Sequence, residues 1–264
     1  MRLCTLGDLL LDVIVRLAQP LAEGTDATAE TRAGAGGQAA NVAAWAAELG
    51  AEARFVGKRG DDQAGRLVTA ELTARGVEVV GPVATGRNGV VVALVTPDGE
   101  RAMATDRGVA PALTADELDP RWFDGCDRLH VSGYALMGTP IGAAALAAAK
   151  LVARVSVDLS STRTIRDFGA GRLLERLDEL APEVVFANER ELEELGRRPP
   201  AQTVVVKRGA HGFSVHGTDY PAAAADVVDT TGAGDALAAG FLVGGPGLAA
   251  QAAARCVAKL GAMP

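Results

Sequence analysis

Short apolar or β-branched runs recur along the chain and alternate with stretches of helical spacing. Runs of this length predict buried strands. The predicted strands cover residues 3–6, 53–56, 128–131, 155–157, 184–187 and 203–206. Strands that alternate with helices are typical of a mainly parallel sheet flanked by helices, so the pattern predicts an α/β fold.

Two regions break this alternation with pairs of shorter strands. Residues 13–17 are followed by 27–32, and residues 90–96 by 101–105, across the turn 97–100. Their spacing is typical of hairpin-like strands that project from the main sheet. For the second pair the alternative is a plain surface hairpin.

Composition and net charge indicate which kinds of binding partner the protein can have. The chain has 264 residues, 48% of them hydrophobic, and a net charge of −7, which predicts one large domain over residues 1–264 without a basic face for nucleic acid. No apolar run reaches membrane-spanning length, and no signal-peptide pattern is present. Three widely separated cysteines suggest no disulfide framework, so a reduced, cytoplasmic protein that binds a small molecule is expected.

The most informative motif is Asp229-Thr230-Thr231-Gly232-Ala233-Gly234-Asp235, followed by apolar residues 236–242. Its glycines and threonines allow a tight turn whose backbone N–H groups converge on an anion at a helix start. Asp235 would then lie in the first helical turn, where the dipole favours the carboxylate, and could take a proton from an attacking hydroxyl. The alternative is an ordinary loop with Asp235 as the helix N-cap.

A second glycine motif, Gly36-Gly37-Gln38-Ala39-Ala40-Asn41, lies near the start of the chain. Its glycines let the backbone approach a ligand, and the alanine-rich run closed by Gly50 predicts a helix that carries Asn41. Gly34 to Ala39 also fits the Gly-x-Gly-x-x-Ala fingerprint of a dinucleotide-dependent oxidoreductase. The polar, charged stretch 25–33 before it is unlike the buried strand that this fingerprint requires.

Together the two motifs resemble the signatures of the PfkB, or ribokinase-like, carbohydrate kinases. The run from Asp229 to Asp235 is similar to the C-terminal signature, the glycine pair with Asn41 to the N-terminal one, and Asp12 to an acid in the first strand region. The resemblance implies a ribokinase-like three-layer α/β/α fold with a mainly parallel central sheet. Its small β-sheet lid would use strands from about 12–33 and 88–108.

The resemblance also implies an activity, ATP-dependent phosphorylation of a hydroxyl, and roles for individual residues. Asp235 would be the general base, and Gly232, Ala233 and Gly234 the anion hole. The expected sugar ligands are Asp12, Gly36, Gly37, Asn41, Arg107 and Asp235. The expected ATP ligands are Asn188, Lys207, Gly209, Gly232, Gly234 and Gln251. Glu191 would support Mg²⁺ through water, and K⁺ would lie near Asp229 and Thr231.

Some of these residues have a simpler interpretation. Asn188 is a helix-cap candidate, and Glu189 and Glu191 could be solvent-facing acids. Asp12 alone is as consistent with a solvated carboxylate at a strand end. Arg107, like Arg101 and Asp106, could contact a carboxylate, a phosphate or only the lid's own backbone.

The acceptor stays open at the level of sequence. Ser132-Gly133-Tyr134 lacks the acidic side chain that ribose-specific members tend to place there. Fructose, ribose-like sugars, 2-keto-3-deoxygluconate and nucleosides all remain, with a sugar or sugar acid favoured. A non-catalytic sugar- or nucleotide-binding regulator is the alternative from another class, and a homodimer through the lid is expected from its exposed strand edges.

Overall fold

The computed structural model describes residues 1–98 and 101–264. The strands in this part of the chain are β1 Arg2–Leu6, β2 Leu10–Leu17, β3 Ala29–Gly36, β4 Glu52–Val56, β5 Arg59–Gly60, β6 Val77–Val80, β7 Val83–Ala84, β8 Asn88–Val95, β9 Arg101–Gly108, β10 Arg128–Ser132, β11 Val155–Asp158, β12 Val184–Asn188, β13 Thr203–Lys207, β14 Phe213–Val215 and β15 Thr218–Tyr220. The helices are α1 Gln38–Glu48, α2 Gln63–Ala74, α3 Gly133–Leu136, α4 Ile141–Ala149, α5 Thr162–Phe168, α6 Ala170–Leu180, α7 Glu189–Leu195, α8 Ala233–Gly244 and α9 Pro246–Val257.

Among the described residues, nine strands form the central sheet, in the order β15-β14-β13-β12-β11-β10-β1-β4-β6. The seven strands from β13 to β6 pair in parallel, and β14 pairs antiparallel with both β13 and β15. Strands buried on both faces need continuous apolar runs, which is why all six predicted strands were visible in the sequence. The mainly parallel sheet is confirmed.

Helices cover both faces of this sheet and give the predicted three layers. One core cluster contains the buried faces of α1, α2, α8 and α9, and the other those of α4, α5, α6 and α7. The alanine-rich α1 is buried along most of its length and packs directly against α8. That packing brings the two glycine motifs together, because each precedes one of these helices.

The two predicted strand pairs belong to one smaller sheet, in the order β3-β2-β8-β9. The strands of each pair run antiparallel, and β2 joins β8 in parallel. The second pair is therefore not an isolated surface hairpin. Its predicted turn at 97–100 includes Gly99 and Glu100, which lie outside the described residues.

The oxidoreductase alternative lacks its structural context. Gly34, Ala35 and Gly36 are the last residues of β3 itself, and β3 is an edge strand of the small sheet with residues 30–33 exposed. A dinucleotide fingerprint follows a buried strand of the main sheet.

None of the helices in the described part of the chain has the length and apolar character to cross a bilayer. The three cysteines, Cys4, Cys126 and Cys256, are free thiols.

Candidate active site

The candidate residues meet at the carboxyl ends of the parallel strands, beside the small sheet. Asp158 ends β11, Asn188 ends β12 and Lys207 ends β13, while α8 points its N-terminus at the same edge. This is where open α/β sheets bind ligands, because loops of neighbouring strands diverge there.

The motif from Asp229 to Asp235 forms a tight loop that leads into α8. Its N-cap is Gly232, whose φ of 77° is left-handed. A Cβ at this glycine would lie 2.5 Å from the Cβ of Ala262, so no other residue fits. Asp235 lies in the first turn and makes no cap hydrogen bond, so the N-cap alternative is wrong.

Asn41 and Asp235 touch although 194 residues separate them in the chain. Asn41 Nδ2 donates to Asp235 Oδ2 at 2.8 Å, from a side chain that is buried on α1. Its Oδ1 is buried and has no hydrogen-bond partner among the described residues. A buried acceptor without a donor is costly, so this oxygen is available to a ligand hydroxyl.

The surroundings of Asp235 shift its protonation. Burial raises the pKa of this carboxyl to about 7, the bond from Asn41 and the charge of Lys207 oppose the rise, and the charges of Asp158 and Asp12 add to it. A carboxylate with a pKa near neutrality is a better proton acceptor than an ordinary aspartate.

Asp12 lies on β2 with its carboxylate directly over Gly36. A Cβ at Gly36 would lie 2.1 Å from Asp12 Cγ. Gly37, with a φ of 97°, passes so close to the backbone of Asp8 that its Cβ would lie 2.4 Å from the Asp8 carbonyl oxygen. The glycine pair therefore makes room for Asp12 and for the turn into α1.

Arg107 holds the small sheet to the main sheet. Its guanidinium donates to both carboxylate oxygens of Asp8, at 2.6 and 2.9 Å, and Asp8 is buried just after β1. Asp106 forms an exposed ion pair with Arg87. The side chain of Arg101 lies outside what the structure describes.

The side chain of Lys207, at the end of β13, extends to the loop that leads into α8. Its Nζ donates to Asp158 Oδ2 at 2.6 Å and lies 3.4 Å from where a Cβ of Gly234 would be. Burial alone would lower the pKa of this lysine, but the charges of Asp158 and Glu191 outweigh it and hold the pKa above its ordinary value. Lys207 therefore brings a full positive charge beside the loop.

Asn188 and Glu191 form a reciprocal cap at the start of α7. The Asn188 side chain accepts from Glu191 N–H at 2.9 Å, and the glutamate accepts from the backbone N–H and Nδ2 of Asn188. Glu191 is buried, so the alternative of a solvent-facing acid is wrong for it. Burial raises the pKa of its carboxyl, which Lys207 lowers and Asp158 raises further.

Asp229 connects the loop before α8 to the segment around Gly261 through hydrogen bonds. Its Oδ1 accepts from the backbone N–H and hydroxyl of Thr231, and its Oδ2 accepts from Gly261 N–H at 3.0 Å. Nearby, Trp45 Nε1 donates to the Ala262 carbonyl at 2.8 Å. The position near Asp229 and Thr231, where K⁺ is expected, is thus a junction of the loop, the 261–262 segment and α1.

Two expected ATP ligands are less enclosed. Gly209 begins a short turn after β13 with a φ of 56°, and nothing lies within 4 Å of its Cβ position. Gln251 is exposed on α9. The structure shows no contact that links Gly209 or Gln251 to the residues around Asp235.

Sequence reasoning gave no role to several polar residues that the fold brings here. The hydroxyls of Ser132 and Ser160 donate to Gln38 Oε1, at 2.8 and 2.5 Å, at the start of α1. Asp158 accepts the backbone N–H of Ser160 as well as Lys207. Two of them could have been recognised from the sequence by their position, because Ser132 and Asp158 are the last residues of parallel strands that the sequence predicts.

The described residues contain no group of three or more His, Cys, Asp or Glu side chains arranged to hold a metal ion by themselves. Both oxygens of Glu191 already accept hydrogen bonds from Asn188, so this glutamate suits a hydrated ion. The donor set therefore fits an Mg²⁺ ion that arrives on ATP and is supported through water.

The architecture is that of the ribokinase-like fold. Adenosine kinase from Sinorhizobium meliloti shares it with a TM-score of 0.85, at 24% identity over 99% of this chain and 95% of that one. A putative ribokinase II from E. coli, solved in complex with ATP and Mg²⁺, gives a TM-score of 0.82 at 22% identity, covering 99% and 94% of the two chains.

The chain belongs to the pfkB family of carbohydrate kinases, whose model matches residues 1–262. It is 35% identical over 256 residues to an ATP-dependent ribose-1-phosphate kinase from Halopiger xanaduensis, an alignment that covers 91% of this chain and 83% of that protein. The protein is therefore an ATP-dependent sugar kinase.

Proposed function

We propose that the protein transfers the γ-phosphoryl group of ATP to a sugar hydroxyl, with Asp235 as the general base. The observation that carries this proposal is the contact of Asn41 with Asp235 at the N-terminus of α8, where the carboxyl has a pKa of about 7. Phosphoryl transfer needs positioning and charge neutralisation more than covalent chemistry, and this site offers both.

The acceptor binds between α1 and the small sheet. Asp12 and Asn41 Oδ1 accept hydrogen bonds from sugar hydroxyls, while Gly36 and Gly37 leave room for the Asp12 carboxylate and for the turn into α1. The attacking hydroxyl gives its proton to Asp235 as its oxygen bonds to the γ-phosphorus and the bond to ADP breaks.

Charge on the moving phosphoryl group is stabilised from the loop and from β13. The backbone of Gly232, Ala233 and Gly234 forms the anion hole, although Ala233 N–H also donates to the Thr230 carbonyl over a long 3.3 Å. Lys207 adds the positive charge beside Gly234. Magnesium supplies charge neutralisation on the phosphates of ATP.

The remaining ATP contacts and the assembly state are parts of the same proposal. Asn188, Gly209 and Gln251 bind the nucleotide, Glu191 supports Mg²⁺ through water, and K⁺ lies at the junction of Asp229 and Thr231. Three free cysteines support a cytoplasmic location. The small sheet acts as a lid, and its open edges at β3 and β9 support a homodimer.

The experiment is a measurement of ADP release from Mg-ATP in the presence of K⁺, over fructose, ribose, ribose 1-phosphate, 2-keto-3-deoxygluconate and adenosine. Asp235→Asn is expected to lower kcat by at least about 100-fold with little change in acceptor affinity. Near-normal kcat in this variant would remove Asp235 from its role. Binding of acceptor and ATP without turnover would favour the regulator instead.

A further inference from the structure

The side chain of Lys207 is anchored by a carboxylate from a strand that is not its neighbour. Its Nζ donates to Asp158 Oδ2 at 2.6 Å, and the exposed fractions of the lysine and aspartate side chains are 16% and 1%. Lys207 ends β13 and Asp158 ends β11, with β12 between them in the sheet. The lysine side chain therefore spans the width of β12 to reach its partner.

The direction of the Asp158 carboxylate is fixed by a backbone turn at Ser160. Ser160 N–H donates to Asp158 Oδ1 at 2.9 Å, and Ser160 has a φ of 71°, in the left-handed region that residues other than glycine seldom adopt. Its hydroxyl donates to Gln38 Oε1 at 2.5 Å, which connects the turn to α1. A Cβ at Gly133 would lie 2.4 Å from the Asp158 carbonyl oxygen, so this glycine leaves room for the turn. Unfavourable backbone of this kind persists only where the surrounding structure holds it.

The ammonium group held in this way lies beside the loop at which the phosphoryl group is transferred. A Cβ at Gly234 would lie 3.4 Å from Lys207 Nζ, and Asp235 is the next residue. The charges of Lys207 and Asp235 interact, which also places them near each other. An ammonium group has three donors, so Lys207 can donate to a phosphate oxygen while it keeps its bond to Asp158.

Stability alone does not account for this ion pair. Burying a carboxylate and an ammonium group together removes both from water, and apolar residues of similar volume are often at least as stabilising. An unanchored lysine side chain would lose rotamer freedom when it bound a phosphate. A lysine that is already held in place binds the phosphate without that loss, so the pair has a reason in catalysis.

We propose that Asp158 is a positioning residue, which holds the Lys207 ammonium where the terminal phosphoryl group of ATP lies during transfer. Asp158 does not contact the substrate and acts through Lys207. Ser160 in turn fixes the carboxylate that does the holding. This inference rests on the proposed function and deepens it, because it assigns a role to a buried carboxylate that the transfer itself does not use.

The test is a double-mutant cycle of Asp158→Asn and Lys207→Met. Asparagine keeps an oxygen for Ser160 N–H but turns an amide N–H toward the lysine, so the anchor is lost at nearly constant shape. Asp158→Asn is expected to lower kcat by about 10- to 100-fold and to change the acceptor KM by less than about 3-fold. In the Lys207→Met background the same substitution is expected to change kcat by less than about 3-fold, because no ammonium group is left to position.

Glu183→Gln is the matched control. Glu183 forms ion pairs with Arg128 and Arg154 just before β12, at the opposite edge of the sheet from the site. Its loss removes a paired carboxylate without touching the loop, so kcat is expected to stay within about 2-fold of the wild-type value. Thermal melting checks folding, and Lys207→Met is expected to melt below the double variant, since it leaves Asp158 buried without its counter-ion.

A binding measurement reads the same contact without turnover. Calorimetry compares ADP with adenylyl imidodiphosphate, a non-hydrolysable ATP analogue, in the presence of Mg²⁺. The wild-type protein is expected to prefer the analogue by about 10-fold or more, because Lys207 donates to its terminal phosphate. Asp158→Asn is expected to lose most of this preference and to keep its affinity for ADP within about 3-fold.

Equal losses of kcat from Asp158→Asn in both backgrounds would show that Asp158 does not act through Lys207. Near-normal kcat in Asp158→Asn would overturn the inference and leave the kinase proposal standing. If the wild-type protein turns over no acceptor, the kinase proposal fails, and calorimetry decides the role of Asp158 separately. A preference for the analogue that is lost in Asp158→Asn but kept in Glu183→Gln supports that role, and no preference in the wild-type protein overturns it.

Discussion

Asp235 is a carboxylate held where its charge is costly. Its raised pKa means that burial disfavours the ionised form in the folded protein, yet a general base must be ionised to work. The same shift therefore has one consequence for catalysis and another for stability.

For catalysis, kcat/KM is expected to fall about tenfold per pH unit below pH 7, because the free protein then carries a protonated Asp235. The bond from Asn41 lowers this pKa, so Asn41→Ala is expected to move the acid limb to higher pH, in addition to weakening sugar binding. The measurement is a pH profile of kcat/KM for both proteins. An acid limb at the same pH in both would show that Asn41 does not tune the base.

For stability, Asp235→Asn is expected to unfold with a higher free energy than the wild-type protein at pH 8, by about 1–3 kcal/mol. The folded pKa lies above the unfolded value, so the wild-type protein loses stability as pH rises from about 4 to 7, and the amide does not ionise. Urea unfolding at pH 5 and pH 8 measures the gain, which should be larger at pH 8. A variant less stable at both values would contradict the interpretation.

At the scale of elements, the glycine motifs matter because a glycine has no side chain. Gly36 ends β3 beneath the Asp12 carboxylate, and a methyl group there would displace that carboxylate. Steric exclusion at one backbone position thus sets the geometry of a side chain on the neighbouring strand.

Gly36→Ala is expected to raise the KM for the acceptor by about 10-fold or more, because Asp12 loses its place while Asp235 keeps its own. Gly171→Ala on α6 is the control, since nothing lies within 4 Å of its Cβ position and an alanine suits a helix. Steady-state kinetics with both variants make the comparison. An unchanged acceptor KM in Gly36→Ala would argue against Asp12 as a sugar ligand.

Sequence patterns predicted the elements better than the contacts between them. The buried parallel strands and the turns around Gly36 and Gly232 follow from local residue types. The parallel pairing of β2 with β8 and the bond between Lys207 and Asp158 join segments that no local period relates. Gln251 shows the converse, because the family resemblance placed it near the nucleotide and α9 leaves it exposed.

At the scale of the whole molecule, the small sheet and the main sheet meet through an ion pair whose carboxylate is buried. Arg107 comes from β9, and Asp8 follows β1. Removing one partner leaves the other charge buried and uncompensated, which costs far more than losing an exposed pair.

Arg107→Ala is therefore expected to raise the acceptor KM by about 10-fold and to speed hydrogen exchange in β8 and β9, with little effect on the KM for ATP. Arg87→Ala is the matched control in the same sheet, because Arg87 forms an exposed pair with Asp106. Hydrogen exchange followed by mass spectrometry reads both variants. Identical exchange in the two would show that the Asp8 pair does not hold the sheets together.

The bond from Trp45 to Ala262 spans 217 residues, and it closes the same junction at which Gly261 binds Asp229. During translation, α1 emerges from the ribosome well before residues 229–262 do. The junction that anchors Asp229 is therefore incomplete in a nascent chain until residue 262 is available. The buried indole of Trp45 lies in this junction, so a change in its fluorescence is expected when the junction forms.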